Sequence, residues 1–134
     1  MILLLCHLIG DYVLQSQPMA DRKTTSSVWA CIHAAAYSIP FALLLALTAQ
    51  PGPGLVALFV IFWTHASIDR YRLAARWCAW HGTGTREGGV WARWNASAEP
   101  VPPFLSVWLT IVVDNTMHLA INAAAVYLAA GLLP

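Results

Sequence analysis

Charge is scarce in this chain. Only 10% of its 134 residues are Asp, Glu, Lys or Arg, and the net charge is +1. There is no basic face to neutralise phosphates, which excludes a nucleic-acid partner. Cysteine is scarce too: Cys6, Cys31 and Cys78 are odd in number and show no CxxC spacing. That pattern argues against a disulfide framework and against a thiolate zinc site. A basic start is missing, since Met1 leads straight into Ile2-Leu3-Leu4-Leu5. The opening stretch therefore reads as the start of a membrane helix rather than an export signal. No Lys or Arg falls inside the long apolar runs, apart from Arg70, Arg72 and Arg76 at the lower end of the third. What the chain has instead is hydrophobicity, 59% of residues, with a mean hydropathy of +0.62. That is too apolar for an ordinary soluble domain of this size.

The pattern predicts an all-α, polytopic membrane protein. Residues 1–134 form a single transmembrane domain, a four-helix transmembrane bundle with helices over about 2–17, 27–49, 55–77 and 104–133. The first segment is short for a span, which needs about 20 residues. Pro18 ends it, and Thr25, Ser26 or Ser27 can cap the second. Pro40 is expected to kink that second helix. Gln50-Pro51-Gly52-Pro53-Gly54 reads as a tight turn. Arg70, Arg72 and Arg76 can snorkel to headgroups. The loop over 78–103 is glycine-rich, and Trp77, Trp80, Trp91 and Trp94 in and beside it place it at the bilayer interface. Asn95-Ala96-Ser97 matches a glycosylation sequon. All seven basic residues fall in or beside the first and third connections. By the positive-inside rule those connections are cytoplasmic and both termini lie outside.

Against this apolar background the ionisable residues stand out. His7 and Asp11, His65 and Asp69, and Asp114 and His118 are each four apart, so each pair shares a helical face. An Asp at mid-membrane costs roughly 2.5 to 3.5 kcal/mol on the lenient insertion scale. A fourth histidine, His33, stands alone, with Tyr37 one turn on. Counted at 1.5 Å per residue from the cytoplasmic ends, Asp11, His33 and Asp69 lie about 9 to 12 Å deep. His7, His65 and Asp114 come out near 15 Å, and His118 near 20 Å. Separate segments thus bring their ionisable groups into one layer of the cytoplasmic half.

Four imidazoles and three carboxylates exceed the four ligands of a tetrahedral zinc. They suit a binuclear centre with a bridging carboxylate and a position left for water. His7, Asp11, His33, His65, Asp69, Asp114 and His118 are the candidate metal ligands. Asp11, Asp69 and Asp114 are also candidate catalytic groups, one of them as general base. Gln15, Tyr37, Asn115 and Asn122 lie on or beside the same stripes and can orient the ligands. A nitrogen and oxygen set without thiolate fits zinc first, with manganese or iron as alternatives. Structural packing alone would leave three aspartates needing partners, with no Lys or Arg inside the spans above the arginines that end the third. A proton path could use the same residues without needing a pair on each of three helices.

The chain resembles a family of small integral membrane proteins of bacteria and their phages, the domain of unknown function numbered 3307. The resemblance rests on H-x-x-G-D-[FY]-x-x-Q, met by His7, Gly10, Asp11, Tyr12 and Gln15. It continues through Met19, Ala20 and Lys23 (M-A-x-x-K), the lone His33, and His65 with Asp69. The closing D-Q-x-x-H is met by Asp114 and His118, with Asn115 where the family has glutamine. The resemblance implies a bacterial inner-membrane location and treats the polar layer as a site, without an activity. The HxxxD pairs are more loosely similar to membrane-bound metal-dependent hydrolases.

The function this implies is metal-dependent hydrolysis of a lipid-linked or amphipathic substrate, with membrane lipid as the surrounding partner. Two other classes remain open. One is a metal-ion or proton transport component, for which so small a chain would call for a homo-oligomer. The other is a phage or prophage membrane factor whose metal site is structural.

Overall fold

The structure is a computed structural model that describes residues 1–82 and 102–132. Among these residues it is all helix. Helix α1 (Ile2–Leu8) runs on through a π-helical turn (Ile9–Val13) in which the Leu14 N–H reaches back five residues to the Ile9 carbonyl, at 2.9 Å. A short helix α2 (Gln17–Arg22) follows, with Pro18 in its first turn, where a missing N–H costs nothing. The long helices α3 (Ser27–Thr48) and α4 (Pro51–Tyr71) come next, then α5 (Leu73–His81) and α6 (Pro103–Ala129). Three of these, α3, α4 and α6, are long and apolar enough to cross a membrane.

Several local expectations change. Pro51-Gly52-Pro53-Gly54 is the first turn of α4 and not a separate turn, because proline there forfeits only N–H groups that a helix start leaves unbonded. Ser26 takes the cap position of α3 with an extended backbone, and α3 continues as one helix through Pro40. The predicted third helix is interrupted at Arg72, which adopts a left-handed conformation (φ 51°, ψ 47°), so α5 is a separate element. The first helical stretch ends at Val13, giving 12 residues and about 18 Å, less than a full span. Most of the predicted interfacial loop, with Trp91, Trp94 and the Asn95 sequon, lies outside the described residues.

The chain divides into two compact units, one of Met1–Tyr71 with α6 from His118 onward, the other of Arg72–Met117. In the first, Cys6, Tyr37, Phe41, Leu45, Ala57, Ile61 and Val126 form an apolar core. Gly10 makes the approach of the π turn to α3 possible, because a Cβ there would meet the Tyr37 carbonyl oxygen at 2.7 Å. Burial in this unit runs opposite to that of a water-soluble protein. His7 and His33 are fully buried, whereas Leu47 is 86% exposed and Phe59 64%. In the second unit α5 buries Ala74 and Cys78 and turns Trp77 and Trp80 outward.

Candidate metal centre

The first unit gathers His7 and Asp11 from the α1–π stretch, His33 and Tyr37 from α3, His65 and Asp69 from α4, and His118 and Asn122 from α6. All eight are buried. The spacing explains the convergence, since residues four apart on a helix point the same way and each helix offers one such face. The π turn carries Asp11, and π turns are often found at functional sites.

Asp11, His33, His65 and Asp69 each offer one ligating atom, all within 4.8 Å of one another. His33 Nε2 lies 3.1 Å from Asp11 Oδ1 and 3.3 Å from Asp69 Oδ2. His65 Nε2 lies 3.3 Å from Asp69 Oδ2 and 4.0 Å from Asp11 Oδ1. Four ligands at zinc-like bond lengths stand about 3.3 Å apart at tetrahedral vertices. Of the four spacings just given, three lie close to that edge, and the His65–Asp11 one is longer. His65 Nε2 is buried and has no hydrogen-bond partner among the described residues. A nitrogen so placed is costly unless something takes up its lone pair or proton.

Asp69 faces two ways. Its Oδ2 lines the cradle just described, and its Oδ1 lies 3.6 Å from His118 Nε2. The rings of His65 and His118 meet through their Nδ1 atoms at 3.2 Å. When both are neutral, one must donate and the other accept, so the two rings are opposite tautomers. The donor keeps a bare Nε2 toward the site, and the acceptor carries its proton toward Asp69.

Tyr37 is the hub on the inner side. Its hydroxyl receives the Asn122 amide and pairs with His7 Nδ1 at 2.8 Å, while its ring stacks on His65. Tyr37 thus touches the candidate ligands His7 and His65, and Asn122 meets Tyr37 at its hydroxyl. The Gln15 carboxamide oxygen is buried with no partner among the described residues. Asp114 and Asn115 are half-buried on α6 in the second unit.

The residue that the sequence reading named within a family motif but left out of the site is Lys23. Its Nζ lies 2.9 Å from Asp69 Oδ2, 3.5 Å from Asp11 Oδ1 and 3.2 Å from His33 Nε2. It enters from the link after α2, not from a span, so the aspartates do have a cationic neighbour. The available signal was that Lys23 is the sole lysine of the chain. Arg70 holds that link in place, donating from Nη1 to the Thr24 carbonyl at 2.8 Å and from Nε to Ser27 Oγ at 3.3 Å.

A family model described as "Protein of unknown function (DUF3307)" matches residues 1–133. The chain belongs to the DUF3307 family. No curated protein and no solved structure matches it. In this DUF3307 chain, then, any chemistry has to be argued from the cluster itself. The cluster is a buried set of Asp and His that could hold a metal ion.

Proposed function

We propose that this DUF3307 chain is an integral membrane metalloprotein of the bacterial inner membrane that hydrolyses a lipid-linked or amphipathic substrate. In this reading α3, α4 and α6 span the bilayer, and the α1–π stretch enters part way as the fourth member of the bundle. The observation that carries the proposal is the cradle of Asp11, His33, His65 and Asp69, whose ligating atoms converge within 4.8 Å inside a shell of exposed apolar side chains.

The site would be binuclear, with Asp69 bridging from the cradle to His118. A nitrogen and oxygen donor set without sulfur favours zinc, with manganese or iron as alternatives. A divalent ion bound there supplies Lewis-acid polarisation and a bound water acidified toward neutral pH. The chain's own carboxylates would have two tasks, helping to hold the ion and accepting a proton as general base, and Asp11, itself one of the cradle's four members, is the candidate for the second. Tyr37 and Asn122 fix the orientation of the histidine rings, as partners outside the ligand set do in metal sites generally.

Elemental analysis of detergent-purified protein, beside His65→Ala and Asp69→Asn, tests this reading. Bound transition metal that falls in both variants is the expected result, and the metal-to-protein ratio separates one ion from two. A folded, metal-supplemented protein that holds none would overturn it. Turnover of lipid-phosphate and lipid-ester substrates then distinguishes a hydrolase from a structural site. The Lys23 contacts favour one second reading, a metal-free ion-pair network that neutralises the aspartates within the bundle. The same elemental analysis decides between them.

A further inference from the structure

Four ligating atoms and one ammonium compete for the same small volume. The Lys23 Nζ contacts three of the cradle's four members, at 2.9, 3.2 and 3.5 Å. A divalent ion bound to Asp69 Oδ2 would have its own bond of about 2.0 to 2.2 Å to that oxygen. An ammonium paired with the same carboxylate atom at 2.9 Å would then lie a few ångströms from a double positive charge, with little water between them to screen it. The two cations cannot both keep these contacts.

Lys23 is also built to leave. It stands on the link between α2 and α3, and its side chain is 18% exposed although the carboxylates it touches are 5% exposed. The four-carbon stem can swing the ammonium outward by rotation alone. The link backbone need not move, because Arg70 clamps it at Thr24 and Ser27. The metal-free bundle meanwhile keeps a cationic partner within reach of both buried carboxylates, which two unpaired aspartates in an apolar core would lack.

We propose that Lys23 is the resident cation of the centre in its metal-free form, and that a divalent ion enters by displacing its ammonium, which makes Lys23 a gate on metal loading. The proposal rests on the metal reading of the preceding subsection. It adds a competition that sets the affinity of the site and a side chain that reports occupancy.

Zinc titration of the purified full chain tests it, with wild type, Lys23→Met and Lys23→Arg compared and His65→Ala marking the zinc that binds at this centre. Lys23→Met should bind zinc at least about tenfold more tightly, within the usual range for coupled binding events. Lys23→Arg, which keeps the charge, should stay near wild type. Zinc binding by the Met variant alone is the same result in stronger form. Equal or weaker binding by Lys23→Met overturns the gate while leaving the metal site standing. No zinc in either protein overturns the metal reading and the gate with it.

A second measurement covers the case in which Lys23→Met does not fold. Lys23 is the only lysine, so amine acetylation of the wild-type protein can be followed at that one side chain by mass spectrometry. Saturating zinc should raise its acetylation rate several-fold. An unchanged or slower rate in zinc-loaded protein overturns the displacement.

Discussion

Tyr37 lies flat against His65, with ring centroids 3.6 Å apart and planes 12° from parallel. Its hydroxyl meets His7 and Asn122 on the far side. One side chain therefore ties together residues from the α1–π stretch, α3, α4 and α6. Tyr37→Phe keeps the stack and removes only the hydroxyl that His7 and Asn122 share. It should lower stability by about 1 to 3 kcal/mol, the range for leaving a buried polar group without its hydrogen-bond partner. It should also weaken metal binding by about 10- to 100-fold, as removal of a ligand-orienting partner does elsewhere. Thermal unfolding in detergent and zinc titration read the two effects separately. A variant that unfolds earlier yet binds metal as wild type would make Tyr37 a packing residue only.

The π turn depends on Gly10. Its missing Cβ leaves room for the Tyr37 carbonyl oxygen, which a methyl group would meet at 2.7 Å, and for Tyr37 Cδ2 at 2.9 Å. Backbone cannot yield as a flexible side-chain tip can. Gly10→Ala should therefore push Asp11 away from α3 and destabilise the protein by about 1 to 3 kcal/mol, the usual range for overpacking. Gly52→Ala is the control, since nothing lies within 4 Å of the added methyl. It sits in the exposed first turn of α4 and should be neutral or stabilising by up to about 1 kcal/mol. Equal melting temperatures for Gly10→Ala and wild type would remove the steric argument.

Parts of this were legible from residue types alone. The apolar runs that form α3, α4 and α6 showed in length and composition. The pairs His7–Asp11 and His65–Asp69 showed in their spacing, because helical periodicity puts both members on one face whatever the neighbours are. The π turn did not show, and the close approach of Gly10 to the Tyr37 backbone that accompanies it joins residues 27 apart in sequence. The break at Arg72 did not show either, because arginine carries no local preference for a left-handed backbone. Pro51 and Pro53 misled, since a Pro-Gly repeat looks the same whether it makes a turn or opens a helix. Lys23 was left out of the site because counting depth along helix axes places backbones, and a long side chain can reach a layer its own Cα does not occupy.

Asp69 has Lys23, His33, His65 and His118 all within 3.6 Å of its oxygens. Asp69→Asn keeps the shape, removes the charge and replaces one oxygen with a donor that faces other donors. Breaking a buried charged pair in this way costs about 3 to 5 kcal/mol. The melting temperature of metal-free protein should drop accordingly, and zinc should no longer bind. Asp21→Asn, on the exposed Gln17–Asp21 pair of α2, should leave both unchanged. Retained zinc in a folded Asp69→Asn protein would place the ion elsewhere.

Metal removal should itself be visible in stability. An ion that binds only the folded centre stabilises it by about 2.7 kcal/mol at a free concentration 100 times its dissociation constant. Chelation should therefore lower the melting temperature of the wild-type protein, and added zinc should restore it. In His65→Ala the chelator and zinc should have no such effect. A wild-type melting temperature that ignores both treatments would favour the metal-free ion-pair network.

The orientation in the membrane is open to a direct test. Arg22 and Lys23 precede the start of α3, Arg70 lies at the end of α4, and the α3–α4 connection at Ala49–Gln50 carries no charge. The positive-inside rule then places Ser26 on the cytoplasmic side and Gln50 outside. In a background where Cys6, Cys31 and Cys78 are replaced by alanine, Ser26→Cys should react with a membrane-impermeant maleimide only in inverted vesicles. Gln50→Cys should react from the outside of intact spheroplasts. The reverse pattern would put the cluster in the outer half of the membrane. Any substrate would then have to reach it from the opposite leaflet, and Lys23 would open toward the exterior. The expected pattern instead lets Lys23 open toward the cytoplasm, so that metal loading draws on the cytoplasmic pool.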